Sequence, residues 1–195
     1  MQVFLETPRL VLRQFTLADV DNLVSLNADP DVMRFITGGI PIGRVEIEEE
    51  LLPAFLGYYE RFDGYGFWAA IEKRTGEFLG CCYLAPQEGG APGEAELGFR
   101  LCKSAWGKGY ATEGAHALIR RGFTEFGMQR VVADTVAGNI ASRAVLEKAG
   151  LRLVRTSRQS GSDPVEGGES GDVEYALGKA DWEQQDQAVG HNSGH

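Results

Sequence analysis

The stretch ELGFRLCKSAWGKGYATEG, residues 96–114, gives the strongest indication of the fold. Residues 94–102 alternate between apolar and polar side chains, which predicts a half-buried β-strand. A GKG turn at 107–109 follows, and a helical pattern then runs over 110–126. Glycines let the backbone approach a ligand closely, and the first N–H groups of a helix are unpaired donors at the positive end of its dipole. The sequence therefore predicts an anion site, suited to a phosphate or pyrophosphate, at residues 107–111.

The patterns on either side of this stretch predict an α/β chain. Residues 130–136 have the pattern of a buried strand, so a parallel βαβ crossover leads from 94–102 to this segment. A first helix opens at the capping box formed by Thr16 and Asp19. Further strands are expected at 9–15, 66–71, 77–84, 151–155 and 173–177, and further helices at 46–62, which contains Pro53, and at 142–149.

Composition narrows the class of protein. The chain has 195 residues, 43% apolar and 24% charged, which is typical of a soluble globular protein. It shows no secretory signal and no apolar run long enough for a membrane span, so we expect a cytoplasmic protein without membrane contact. The net charge of −9, with no basic patch, argues against binding to nucleic acid. We predict one domain at 1–182, containing a glycine-rich segment at 160–171, and a disordered tail at 183–195.

The three cysteines, Cys81, Cys82 and Cys102, form no CxxC pair and have no metal-ligand spacing. They are expected to be reduced structural thiols, and no metal site is predicted. Because side chains alternate along a strand, Cys81 and Cys82 should point to opposite faces of the sheet.

Two familiar phosphate-binding designs do not fit the glycine turn. A Walker A loop needs Ser or Thr after the lysine, but Lys108 is followed by Gly109. A dinucleotide-binding GxGxxG turn needs a small residue where Thr112 stands, and an acidic residue at the end of the next strand, for which Asp134 is the only candidate. The turn also follows its strand at too great a distance for this design. A third design is the one that the sequence matches.

Four separated stretches resemble the GCN5-related N-acetyltransferase (GNAT) superfamily, in the branch typified by the ribosomal-protein N-terminal acetyltransferases. They occur in the expected order and span about residues 5–182. The resemblance implies a single-domain α/β acyl-CoA N-acyltransferase fold. This fold has a mixed, mostly antiparallel sheet with one parallel splayed strand pair, and helices on both faces. The stretches are ETPRLVLRQFTLADVDNLVSLNADPDVMRFI (6–36), ELGFRLCKSAWGKGYATEG (96–114), VVADTVAGNIASRAVLEKAGL (131–151) and EYALGKADW (174–182).

The resemblance also implies where acetyl-CoA binds as co-substrate. Its pantetheine arm would pair with the backbone of Phe99 and Leu101 and would contact Asn139. Trp106 stands where the superfamily usually has Gln or Arg, so its side chain is not expected to supply a polar contact, and the backbone donors remain. The pyrophosphate would lie on the motif formed by Trp106, Gly107, Lys108, Gly109, Tyr110 and Ala111.

Two residues are candidates for the chemistry. Glu96 is our first choice for the base that deprotonates the amine, acting through water, with Glu94 on the same face as the alternative. A purely structural role for Glu96 in an ion pair or as a solvated strand residue stays open. Many superfamily members protonate the leaving thiolate with a Tyr where this chain has Leu146, so the resemblance transfers that role to Ser142.

Structural roles also account for Asn139 and Ser142, and a structural role is expected for Glu113. Asn139 is a favourable N-cap and Ser142 a favourable first-turn residue, so capping alone accounts for both. Glu113 suits the first turn of its helix through the dipole and is expected to be structural.

The expected function is transfer of an acetyl group from acetyl-CoA to a primary amine by direct attack in a ternary complex. The acceptor is either a protein N-terminus or a small-molecule amine, since the fold does not fix the substrate. The alternative is a non-catalytic module that binds or senses acetyl-CoA. The sequence is compatible with a monomer or a homodimer.

Overall fold

The computed structural model describes residues 2–86, 90–157 and 171–192, so most of the predicted segment 160–171 lies outside the described residues. The chain divides into two compact units. Unit 1 comprises residues 1–85 and 97–120, and unit 2 comprises 86–96 and 121–195. Within the described ranges, no helix is both long enough and apolar enough to cross a bilayer.

Unit 1 is built on strands in the order β1-β2-β3-β4-β5. Antiparallel ladders join β1 to β2, β2 to β3 and β3 to β4. The last residues of β4 and of α5, and the first of β5, belong to unit 2. The strands are β1 (Val3–Glu6), β2 (Leu10–Gln14), β3 (Gly66–Glu72), β4 (Phe78–Pro86) and β5 (Glu94–Leu101), and the helices are α1 (Val20–Ala28), α2 (Pro30–Met33), α3 (Arg44–Glu46), α4 (Leu52–Arg61) and α5 (Tyr110–Glu125).

Unit 2 continues from the beginning of β5 in the order β5-β6-β8-β7. Residues 94–96 of β5 pair in parallel with 130–132, whereas β6 and β7 both run antiparallel to β8. The predicted fold class, α/β with a mixed sheet and one parallel strand pair, is confirmed. The elements are β6 (Arg130–Val136), α6 (Ile140–Lys148), β7 (Arg152–Ser157), β8 (Asp172–Gly178) and α7 (Lys179–Asn192).

The adjacent cysteines show that the sheet of unit 1 is covered on both faces. Cys81 packs with Phe15 in a buried cluster to which α1 and α4 contribute. Cys82 lies on the other face, where its Sγ atom is 3.1 Å from the position that a Cβ on Gly114 of α5 would occupy. Both cysteines are buried and free, and burial raises the pKa of Cys82 to about 12. The predicted opposite orientation of the two thiols is confirmed.

The predicted capping box also forms, and it belongs to a buried ion pair. The Asp19 carboxylate accepts hydrogen bonds from the Thr16 N–H at 2.9 Å and from Arg13 Nη1 and Nη2 at 2.8 and 2.7 Å. The Arg13 and Asp19 side chains are only 10% and 3% exposed. Burial alone would raise the pKa of Asp19, but the hydrogen bonds from Arg13, Thr16 and Asn22 hold it below its usual value.

The expected helix at 46–62 is interrupted just before its proline. A π-helical segment over Ile47–Leu51 separates α3 from α4, and the Leu52 N–H donates to the Ile47 carbonyl. Pro53 has no N–H to continue the regular ladder, which accounts for the wider turn at this place.

One strand of the structure was not predicted. The sequence places the first strand at 9–15, whereas the structure adds β1 before it as an edge strand on β2. β1 is held by a tertiary contact, because the Phe4 ring stacks on Trp68 with centroids 4.0 Å apart. A four-residue strand has too short a pattern for recognition from sequence alone.

The prediction of a disordered tail from residue 183 is wrong as far as Asn192, because α7 covers Lys179–Asn192. The helix has no marked apolar periodicity but is anchored near its start. The Trp182 ring lies 5.4 Å from the Phe123 ring, and Gln185 Nε2 donates to the Gly150 carbonyl at 3.3 Å. Residues 193–195 lie outside the described ranges, and the domain boundary at residue 182 stays a prediction.

We expect Asp19→Asn to lower the free energy of unfolding by about 3 kcal/mol, because it leaves the Arg13 guanidinium buried without a counter-charge. Asp21→Asn is the matched control, since Asp21 pairs with Arg44 but its side chain is 85% exposed. The control should cost less than about 1 kcal/mol. Urea unfolding of both variants measures the difference, and equal losses would contradict this account of the pair.

Candidate active site

The glycine turn of unit 1 is exposed and leads directly into α5. A 3-10 turn at Lys103–Ala105 follows β5, and residues 106–109 are exposed. Gly107 and Gly109 have φ angles of 71° and 81°, in the left-handed region that favours glycine. The first bond of the helix is donated by the Glu113 N–H to the Gly109 carbonyl at 3.0 Å. The N–H groups of the residues between them therefore have no partner inside the helix.

Trp106 has a use that the sequence did not reveal. Its indole N–H donates to the Leu101 carbonyl at 2.8 Å, so the side chain closes the turn back onto the end of β5. The expectation that the Trp106 side chain supplies no polar contact is therefore wrong for contacts within the protein, because the indole N–H is a hydrogen-bond donor. This hydrogen bond ties the turn at residues 106–111 to the end of β5 within unit 1.

Glu113 has more partners than the predicted interaction with the helix dipole. Its Oε1 atom accepts from the Thr7 hydroxyl at 2.6 Å and from the Arg9 N–H at 2.9 Å. Its Oε2 atom accepts from Arg9 Nε at 2.6 Å. Partial burial alone would raise the pKa of Glu113, but the hydrogen bonds from Thr7 and Arg9 hold it below its usual value. The predicted structural role is consistent with these contacts.

Arg9 contacts the turn from a distant part of the sequence, and the sequence did not predict this contact. Its Nη1 atom donates to the Lys108 carbonyl at 2.8 Å, and its guanidinium lies 4.6 Å from the centroid of the Tyr110 ring. The partners are 99 residues apart in sequence, so no local pattern could have indicated this contact.

Gly98 lies where β5 passes an aromatic ring. A Cβ at this position would lie 2.1 Å from atoms of the Tyr83 ring, so only glycine fits here. Tyr83 in turn packs against Phe67, with ring centroids 4.8 Å apart. The Tyr83 ring therefore packs directly against the backbone of β5 at Gly98, next to Phe99.

In unit 2, the two candidate bases have different surroundings. Glu94 is held in an ion pair, because Arg130 Nη1 lies 2.7 Å from its carboxylate. Glu96 is half-buried and lies close enough to Asp134 to affect its titration. The pKa of Asp134 is raised by partial desolvation and by the negative charges of Glu174 and Glu96. Asp134 was considered only for a dinucleotide motif, and the structure makes it a neighbour of Glu96 instead.

Asn139 and Ser142 meet at the beginning of α6. The Asn139 Oδ1 atom accepts from the Ser142 N–H at 3.1 Å, so the predicted N-cap is confirmed. The cap uses the backbone of Ser142 and does not engage its hydroxyl. Leu146, one turn further along, is buried.

Comparison with known proteins identifies the family. Residues 9–152 match the acetyltransferase (GNAT) domain. Over 190 residues the chain is 32% identical to the FsC-acetyl coenzyme A-N(2)-transacetylase of Aspergillus fumigatus, covering 93% of this chain and 78% of that protein. The chain belongs to the GNAT acetyltransferase family. This GNAT protein is accordingly an acyltransferase that catalyses acetyl-CoA-dependent acetyl transfer.

Solved structures agree with this assignment at the level of the fold. RimL, the ribosomal L7/L12 alpha-N-protein acetyltransferase solved with coenzyme A, is 18% identical and superimposes with a TM-score of 0.75, covering 91% of this chain and 98% of RimL. An acetyltransferase from Agrobacterium tumefaciens is 26% identical with a TM-score of 0.68, covering 89% and 92% of the two chains. Among the described residues, no group of three or more His, Cys, Asp or Glu side chains is arranged to hold a metal ion.

We expect Gly109→Val to reduce the affinity of this GNAT protein for CoA at least tenfold while the chain stays folded. A Cβ at Gly109 would lie 3.3 Å from Arg9 Nη2, and a β-branched residue disfavours the positive φ of the turn. Gly38→Val is the matched control, because Gly38 has a φ of 72° and open space around it. Titration calorimetry with CoA should show a loss only in the first variant, and equal affinities would place the pyrophosphate elsewhere.

Proposed function

We propose that this GNAT protein transfers the acetyl group of acetyl-CoA to a primary amine by direct attack in a ternary complex. The observation that carries the proposal is the exposed turn at 106–109 with the free N–H donors of the α5 N-terminus behind it. Its residue types, charge and exposure fit a pyrophosphate, since backbone donors at a helix N-terminus stabilise such an anion.

The contacts with acetyl-CoA are proposed as follows. The pyrophosphate binds residues 106–111, chiefly through backbone N–H groups, with the exposed Lys108 side chain adding positive charge. The backbone of Phe99 and Leu101 pairs with pantetheine. The Leu101 carbonyl oxygen accepts from Trp106, and a carbonyl oxygen has two lone pairs, so it can accept a second hydrogen bond from the ligand. Asn139 contacts the pantetheine arm while it caps α6.

The chemical step needs a neutral amine, a donor for the oxyanion of the tetrahedral intermediate, and a hydrogen bond for the departing thiolate. This chain offers a side chain for the first and the third. Glu96 removes a proton from the attacking ammonium group through water, so that the neutral amine can attack the thioester carbonyl. The tetrahedral intermediate then collapses: the C–S bond breaks, the nitrogen gives its remaining excess proton to water, and the Ser142 hydroxyl donates a hydrogen bond to the departing thiolate. Glu94 remains the alternative base, and its carboxylate lies 2.7 Å from Arg130 Nη1.

Two of the similar proteins have names that refer to different acceptors. The Aspergillus protein is named for transfer to an N(2) nitrogen of FsC, and RimL for the alpha-amino group of a ribosomal protein. We propose an amine of one of these two classes. Protein N-termini and small-molecule amines are therefore the two classes of compound to test side by side.

A combined binding and turnover assay tests the proposed function. Acetyl-CoA and CoA should raise the melting temperature by several degrees and NAD should not, because a ligand at 100 times its dissociation constant adds about 2.7 kcal/mol to stability. Release of free CoA thiol should depend on amines from one of the two acceptor classes. Stabilisation without amine-dependent thiol release would instead favour an acetyl-CoA-sensing module, and no stabilisation by either CoA species would contradict the proposal.

We expect the pH profiles of Glu96→Gln and Ser142→Ala to separate the two catalytic roles. The rate loss of Glu96→Gln should shrink as the pH rises towards the pKa of the acceptor amine, since neutral amine then needs no base. Ser142→Ala should lower kcat about 10- to 1,000-fold at every pH, with CoA affinity nearly unchanged. Rates at saturating acetyl-CoA measure both profiles. A pH-independent loss in Glu96→Gln would assign this residue a structural role.

A further inference from the structure

Three contacts hold the Arg9 guanidinium against the glycine turn. Glu113 accepts from its Nε atom, the Lys108 carbonyl accepts from its Nη1 atom, and the Tyr110 ring lies 4.6 Å below it. The backbone N–H of Arg9 also donates to Glu113. A side chain held on three sides in this way has little freedom to turn elsewhere.

The contact with the Lys108 carbonyl determines where the next N–H points. A peptide unit is planar and trans, so its C=O and N–H bonds point in opposite directions. Lys108 and Gly109 share one peptide unit, and its oxygen is directed at Arg9. The Gly109 N–H is therefore directed away from Arg9, and among the described residues none accepts a hydrogen bond from it.

The turn needs such a restraint because glycines flank Lys108 on both sides. Glycine adopts positive and negative φ angles with similar ease, so a GKG turn can rotate its peptide units at low cost. Rotation of the 108–109 peptide would present a carbonyl oxygen where the N–H had been. An anion would then meet a partial negative charge in place of a donor.

From these contacts we infer that Arg9 and Glu113 are a positioning pair, which orients the Gly109 N–H for the pyrophosphate of acetyl-CoA. The inference rests on the proposed binding of that pyrophosphate at residues 106–111. Arg9 acts through the backbone and not as a phosphate ligand, because its charge is paired with Glu113 at 2.6 Å. Glu113 acts on the turn indirectly, because its carboxylate holds the Arg9 side chain in place.

The two variants Arg9→Lys and Glu113→Gln distinguish positioning from direct charge contact. Arg9→Lys keeps the charge but loses the planar fork that binds Glu113 and Lys108 together. Glu113→Gln keeps the shape and removes the counter-charge. If the pair positions the turn, both variants should weaken CoA binding about 10- to 100-fold, the usual effect of losing a charged hydrogen bond. If Arg9 contacted phosphate directly, Glu113→Gln would free it and CoA binding would be unchanged or tighter.

A ligand without the pyrophosphate separates positioning from a general loss of structure. Titrations with CoA and with pantetheine should show the loss for CoA only, whereas partial unfolding would weaken both ligands. Arg44→Lys is the matched control, because Arg44 is an arginine of unit 1 that pairs with carboxylates and is about as exposed as Arg9, but it does not contact the glycine turn. Its affinity for both ligands should equal that of the wild type.

The possible results distinguish the positioning pair from the proposed binding of the pyrophosphate, on which it rests. Loss of CoA affinity in both variants, with pantetheine binding and the Arg44→Lys control unchanged, supports the positioning pair. Wild-type CoA binding that survives in either variant overturns the positioning pair and leaves the proposed function standing. Wild-type protein that binds CoA no better than pantetheine overturns both.

Discussion

The Glu113 carboxylate makes the contact on which the proposed binding site depends. It joins the first turn of α5 to Thr7 and Arg9, which lie between β1 and β2 and are about a hundred residues away in sequence. This tie fixes where the helix begins, and Arg9 extends it to the Lys108 carbonyl. A backbone anion site has no side chains of its own to define its geometry, so its shape must be imposed by neighbours such as these.

Binding and chemistry draw on different kinds of group in this molecule. The proposed contacts with acetyl-CoA are mostly backbone groups, shaped by close approaches that only glycine permits, as at Gly98 beside Tyr83. The proposed chemistry relies on two side chains, Glu96 and Ser142. Among the described residues no buried side-chain nitrogen or oxygen lacks a partner. The side-chain polar groups that remain for a ligand are therefore at the surface, and the glycine turn with its backbone groups is exposed as well.

Local signals in the sequence predicted most elements, and long-range contacts explain why β1 and α7 were missed. Alternation located β2 and β5, residue type located most of the other strands, and the caps at Thr16 and Asn139 were recognisable because cap and partner are three residues apart. β1 depends on the stacking of Phe4 on Trp68, and α7 on the contact of Trp182 with Phe123, so neither shows in a local window. The role of Arg9 was hidden for the same reason. The residues of the candidate site were assigned from the family motif, and both their contacts with acetyl-CoA and their roles in catalysis stay predictions.

The orientation of the Gly109 N–H is the central claim, and an amide-resolved NMR titration tests it most directly. In a ¹⁵N–¹H spectrum of the labelled protein, the Gly109 resonance should shift strongly when CoA is added and should stay in place with pantetheine, which lacks the pyrophosphate. CoA binding that shifts other amides but leaves Gly109 unmoved would contradict the account.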